Sequence, residues 1–75
     1  MEQISVREPI RLGQFLKLTG VADDGALAKE MLADELISVN GDLETRRGRQ
    51  LTDGDVVTLD LPTGEMSFEV SSEDG

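Results

Sequence analysis

Asn40-Gly41 separates two short runs that suit β-strands, Leu36-Ile37-Ser38-Val39 and Asp42-Leu43-Glu44. A two-residue type I′ turn needs positive φ at both central positions, and Asn followed by Gly meets that need best. The dipeptide therefore predicts a tight hairpin in mid-chain. The segments on either side follow different periods: helical spacing before it, two-residue alternation after it. That switch points to an α+β fold in which a two-helix hairpin packs on a small, mostly antiparallel sheet.

The pattern fills in as follows. Gln3-Ile4-Ser5-Val6-Arg7 alternates and suits an edge strand, and Pro9 ends it ahead of a helix start. Leu12, Phe15 and Leu16, completed by Leu18 or Thr19, make the buried face of a first helix that stops at Gly20. Arg11, Gln14 and Lys17 lie away from that face. Asp23 or Asp24 caps a second helix running to Ala33 or Asp34, with Leu27, Ala28, Met31 and Leu32 as its buried stripe. Beyond the hairpin, Leu51 points inward and Thr52-Asp53-Gly54-Asp55 turns the chain. Val57, Leu59 and Leu61 then share one face of a strand, Pro62 to Glu65 reverse direction, and Met66, Phe68 and Val70 return to the same core. One domain over residues 1–70 is expected, followed by a disordered acidic tail over 71–75.

Several chemistries are disfavoured by composition. A chain of 75 residues has room for one core centre and no deep cleft to hold a catalytic carboxylate pair. It has no Cys and no His, which removes disulfides, thiolate sites, the commonest metal ligand and the usual neutral-pH base. Asp23-Asp24 reads as a cap and Asp53/Asp55 as a glycine-centred turn; neither has calcium-loop spacing. No cofactor, no metal and no enzymatic activity are expected. No apolar run is long enough to cross a bilayer and no charged-then-apolar leader opens the chain, so a cytoplasmic monomer with no membrane association is expected.

The net charge is −9, yet three of the seven basic residues fall in Arg46-Arg47-Gly48-Arg49. Residues 53–75 hold seven acids and no base, leaving about −2 for the first 52 residues. With screening over roughly 8–10 Å, a local basic face can act apart from a distant acidic edge. Guanidinium groups stay ionised and match phosphate oxygens two at a time. The plainer reading pairs these arginines with Glu44, Asp42 or the acids at Asp55–Asp60, each pair contributing about 0–1 kcal/mol. Lys17 and Lys29 alone read as solvated helix residues, and Arg11 equally as a partner for Glu8 or Asp23 or as a contact for a ligand.

Taken together, Leu12-Gly13-Gln14-Phe15-Leu16-Lys17-Leu18, Asp24-Gly25 to Ala28-Lys29, Val39-Asn40-Gly41, Glu44-Thr45-Arg46-Arg47-Gly48-Arg49 and Asp53-Gly54-Asp55-Val56-Val57 form an ordered set. The chain resembles small bacterial RNA-binding proteins built on the ribosomal-protein S-four domain, whose core is the alpha-L motif. The resemblance covers residues 4 to 60. It implies non-catalytic recognition of structured RNA, ribosomal RNA included, through a basic face with Lys17 on the first helix, Lys29 on the second, and Arg46, Arg47 and Arg49 on the loop. Both Phe sit at core positions, so phosphate and shape contacts are expected in place of base stacking. The chain departs from the pattern at Asp24, where relatives often carry Ser or Thr, at Glu35, often Gly, and at Ser38, often basic. Those departures motivate an alternative, an acidic adaptor for a basic protein partner. A β-grasp carrier ranks last, since the chain ends Glu73-Asp74-Gly75 where such carriers end in Gly-Gly.

Overall fold

Leu12, Phe15 and Leu16 are completely buried on one side of helix α1, Leu12–Leu18, as their spacing predicts. The computed structural model describes residues 1–73. Gly20, at φ 80°, turns the chain out of α1, and Asp24 starts α2, Gly25–Ala33, with its carboxylate accepting from the Leu27 N–H at 2.8 Å. Ala28, Met31 and Leu32 form the buried stripe of α2. Leu27 does not join it and is 36% exposed. It lies on the flank of a stripe already filled by the other three, in the first turn of α2.

The end of α2 sets Glu35 in a conformation that favours glycine. The Leu36 N–H donates to the Met31 carbonyl and the Glu35 N–H to the Leu32 carbonyl, the paired bonds of a Schellman ending. Such an ending needs a left-handed residue after the cap, and Glu35 supplies it at φ 62°. A glycine would adopt that conformation without a Cβ penalty.

Five strands form the main sheet: β1 Glu2–Val6, β3 Ile37–Val39, β4 Asp42–Leu43, β6 Val56–Leu61 and β7 Gly64–Ser72. They lie in the order β1-β7-β6-β3-β4. All neighbours are antiparallel except β1 and β7, which run parallel with Ile4 beside Val70. Asn40 and Gly41 adopt φ 54° and 87°, as the turn requires. Asn40 does more than turn. Its Nδ2 donates to Asp55 Oδ1 at 3.0 Å and its Oδ1 accepts from the Val56 N–H at 2.9 Å, tying the hairpin to the start of β6.

One face of the sheet meets the helices. Ile37, Val39, Val57, Leu59, Phe68 and Val70 are buried there, and the Phe15 and Phe68 rings meet edge-on at 6.4 Å. Full burial of an aliphatic or aromatic side chain contributes about 1.5–3 kcal/mol, which in so small a domain makes this single cluster the main source of stability. Met66 points to the same side but is 44% exposed, lining an open groove with Thr19, Gly20, Val21 and Met31. Residues between the buried ones, such as Ser38, Thr58 and Ser67, face the other side of the sheet, where Thr58 and Ser67 share a hydrogen bond.

Two further features differ from expectation. Strand β7 continues through Ser71 and Ser72, beside Ser5 and Val6, where disorder is expected from composition; the remaining positions 74 and 75 lie outside the described residues. Pairing with β1 satisfies the backbone there, and local polarity does not report that. The second is a separate ribbon of β2, Ile10–Arg11, and β5, Gln50–Leu51, antiparallel with Ile10 opposite Leu51. No helix among the described residues is long and apolar enough to cross a membrane.

Candidate nucleic-acid interface

The β2–β5 ribbon folds the arginine segment back onto the start of α1. The Leu12 N–H donates to the Arg49 carbonyl at 2.8 Å and the Gly13 N–H to the Arg47 carbonyl at 3.0 Å. Gln14 Oε1 accepts from the Arg11 N–H at 2.9 Å. Amides that a helix N-terminus leaves without partners are thus met by loop carbonyls. The loop is docked by its backbone as well as carried by the hairpin.

Glu44 organises the loop from beneath. It is only 5% exposed. Its Oε2 accepts from the Thr45 and Arg46 N–H groups at 3.1 and 3.0 Å and from Arg46 Nε at 3.1 Å. Its Oε1 accepts from Arg46 Nη2 at 3.3 Å and Arg49 Nη1 at 3.0 Å. Charge-assisted bonds from the Arg46 side chain and the Arg46 backbone amide, with help from Arg49, outweigh burial and hold the carboxyl at a pKa of about 2, against an ordinary 4.5. The same bond raises the pKa of the Arg46 guanidinium.

Arg47 behaves differently from its neighbours. It forms no ion pair among the described residues. Its stem crosses the first turn of α1, where a Cβ placed on Gly13 would overlap Arg47 Cγ and come within 3.0 Å of Cδ. Its Nη1 reaches to 3.9 Å from where a Cβ on Gly25 would sit, at the start of α2. Arg11 crosses from the other side, its Nη1 3.8 Å from the corresponding point on Gly48. Around them opens a cleft of about 380 Å³ lined by Arg11, Gly13, Gln14, Lys17, Gly25, Arg47 and Gly48. The lining contains three cations, three glycines and no acid.

Comparison with known proteins places the fold in a family. The profile of the S4 domain matches residues 3–68. The chain belongs to the S4 domain family. It is similar to a probable ribosome maturation protein, RlbA, of Bacillus subtilis (strain 168), at 46% identity over 63 residues that cover 84% of each chain.

Within this S4 domain, the residues expected from sequence separate into three groups. Lys17 and Arg47 line the cleft. Arg46 and Arg49 are paired with Glu44, the former with its side chain 77% exposed and the latter 31%. Lys29 is exposed and does not line the cleft; it follows Gly25 by four residues, one turn along the same side of α2. The residue that sequence reasoning passed over is Arg11, which contacts neither Glu8 nor Asp23 as an ion pair among the described residues. A signal was present: Arg11, Gln14 and Lys17 recur every three residues on the polar side of α1, and all three line the cleft. Two departures from the family pattern bear on the site differently. Asp24 places a carboxylate beside Gly25 but commits it to the Leu27 N–H. Ser38 lies on the sheet face turned away from the helices, so a missing cation there takes nothing from the cleft.

Proposed function

We propose that this S4 domain binds structured RNA in the course of ribosome maturation, without catalysis, seating the phosphate backbone in the cleft between α1 and the arginine loop. The observation that carries this reading is the convergence of Arg11, Lys17 and Arg47, unneutralised by any ion pair among the described residues, on a concave floor of glycines. Glycine lets a sugar-phosphate chain approach the protein backbone closely, and three fixed cations offset the repulsion from the acidic remainder. The RlbA name supports the ribosomal setting. Lys29, one turn beyond Gly25 on α2, flanks this seat.

The test is a salt titration of binding to purified bacterial ribosomal RNA, with poly(U) as the unstructured control. Each phosphate contact contributes roughly 0.7–0.9 to the log–log slope. Replacing Arg11, Lys17 and Arg47 together by Ala is expected to flatten the slope by about 2–3 and to abolish binding near physiological salt. Wild-type protein that ignores ribosomal RNA at low salt, or a triple variant with the parental slope, sinks the proposal.

A second reading has one specific observation in its favour. The sheet face away from the helices carries Asp60 directly opposite Glu65, with Glu69 farther along the same face opposite Val56, and its strands place no cation among them. Like charges set opposite each other are unfavourable by themselves. A basic protein segment is the partner that would relieve them. Recovery of a basic protein from nuclease-treated extract, lost when Asp60 and Glu65 become Asn and Gln, supports that role.

A further inference from the structure

We infer that Glu44 is a positioning residue that divides the arginine cluster, committing Arg46 and Arg49 to the architecture of the loop so that Arg47 alone is presented to RNA. The inference rests on the RNA-binding reading above and assigns the roles within it.

Five donors converge on the Glu44 carboxylate, two from the loop backbone and three from Arg46 and Arg49. The carboxylate is buried, so it cannot swing away to follow an exposed arginine; the arginines are drawn to it. Backbone bonds at Thr45 and Arg46 fix where the loop leaves β4. The Arg49 bond fixes where it rejoins β5. Between these anchors the Arg47 carbonyl meets the Gly13 N–H, and its side chain is laid across α1 toward α2. Three neighbouring guanidiniums would otherwise repel one another and spread the loop. One carboxylate shared by two of them removes most of that repulsion and leaves the third without a partner among the described residues. A clustered run that looks like three equivalent phosphate ligands is therefore one ligand and two braces.

Binding to purified ribosomal RNA is compared for wild type, R47A, the double variant R46A/R49A and E44Q, at a temperature where each is folded by circular dichroism. Amide hydrogen exchange at Leu12 and Gly13 reads loop docking directly. R47A is expected to flatten the salt slope by roughly 0.7–0.9. R46A/R49A and E44Q are expected to keep the parental slope, lose about tenfold in affinity (from order lost before binding) and lose protection at Gly13. If R46A/R49A flattens the slope as two phosphate contacts would, the braces are ligands and the inference is wrong. If E44Q binds more tightly with a steeper slope, Glu44 competes with RNA for the arginines, and the inference is again wrong. An E44Q protein that matches wild type in affinity and exchange also overturns it. Wild-type protein that binds no ribosomal RNA refutes the functional reading instead, while loss of Gly13 protection in E44Q would still establish the brace.

Discussion

Arg47 grips Gly13 twice, once through its carbonyl, which accepts the Gly13 N–H at 3.0 Å, and once through its stem, which fills the space where a side chain on Gly13 would be. Gly13 is helical with an ordinary φ, so alanine there meets no backbone objection and even gains helix propensity. The obstacle is Arg47 itself. Gly13→Ala is expected to displace the Arg47 stem, lower the melting temperature by about 4–8 °C and weaken ribosomal RNA binding several-fold. Calorimetry paired with an RNA titration separates the two effects.

The Glu44 carboxyl gives the protein a defined acid limb. Its folded pKa, about 2, lies below the ordinary 4.5. A group depressed in this way stabilises the fold fully above its unfolded pKa and loses that contribution as pH falls from about 4.5 toward 2. Urea midpoints recorded across this window are expected to fall in wild type more steeply than in E44Q. At pH 7 the E44Q protein should be weaker by about 1–3 kcal/mol, from bonds lost to charged and backbone donors.

Glu35 stands at φ 62°, a conformation that disfavours any residue with a Cβ. Glu35→Gly is expected to stabilise the domain by about 1 kcal/mol, raising the melting temperature by about 4–8 °C. A denaturant midpoint that rises with an unchanged m-value confirms it. A drop in stability would mean that unfolded-chain entropy outweighs the relieved strain.

Asn40 joins the hairpin to the 52–55 turn by donating to Asp55 and accepting from Val56. Asn40→Asp keeps the acceptor but sets a carboxylate against Asp55. The expected cost is about 1–3 kcal/mol at pH 7, from the lost donor and the opposed charges. Chemical denaturation at low and high salt tests the cause; a loss that salt leaves unchanged excludes charge repulsion.

Local pattern revealed much of the fold because its elements are short and punctuated. Asn40-Gly41, Asp24, Gly20 and Gly54 each act through the backbone of one or two residues, and the positive φ values at Asn40, Gly41, Gly20 and Gly54 are where turn chemistry requires them. The parallel pairing of β1 with β7 was not legible, since strand partners some 65 residues apart leave no local mark. Leu27 and Met66 were misjudged because periodicity tells which way a side chain points, and not whether anything covers it.

In the candidate site, the amino-acid sequence determined the supply of charge: which residues are cationic, that three of them crowd one loop, and that Arg11, Gln14 and Lys17 share a side of α1. Which cations stay free was decided only by the tertiary structure. Glu44 lies within five residues of all three loop arginines and could pair with any of them; burial of its carboxylate under the loop, and closure of that loop by the β2–β5 ribbon, selects Arg46 and Arg49. Charge belongs to a residue type, whereas neutralisation depends on distances that the whole chain sets when it folds.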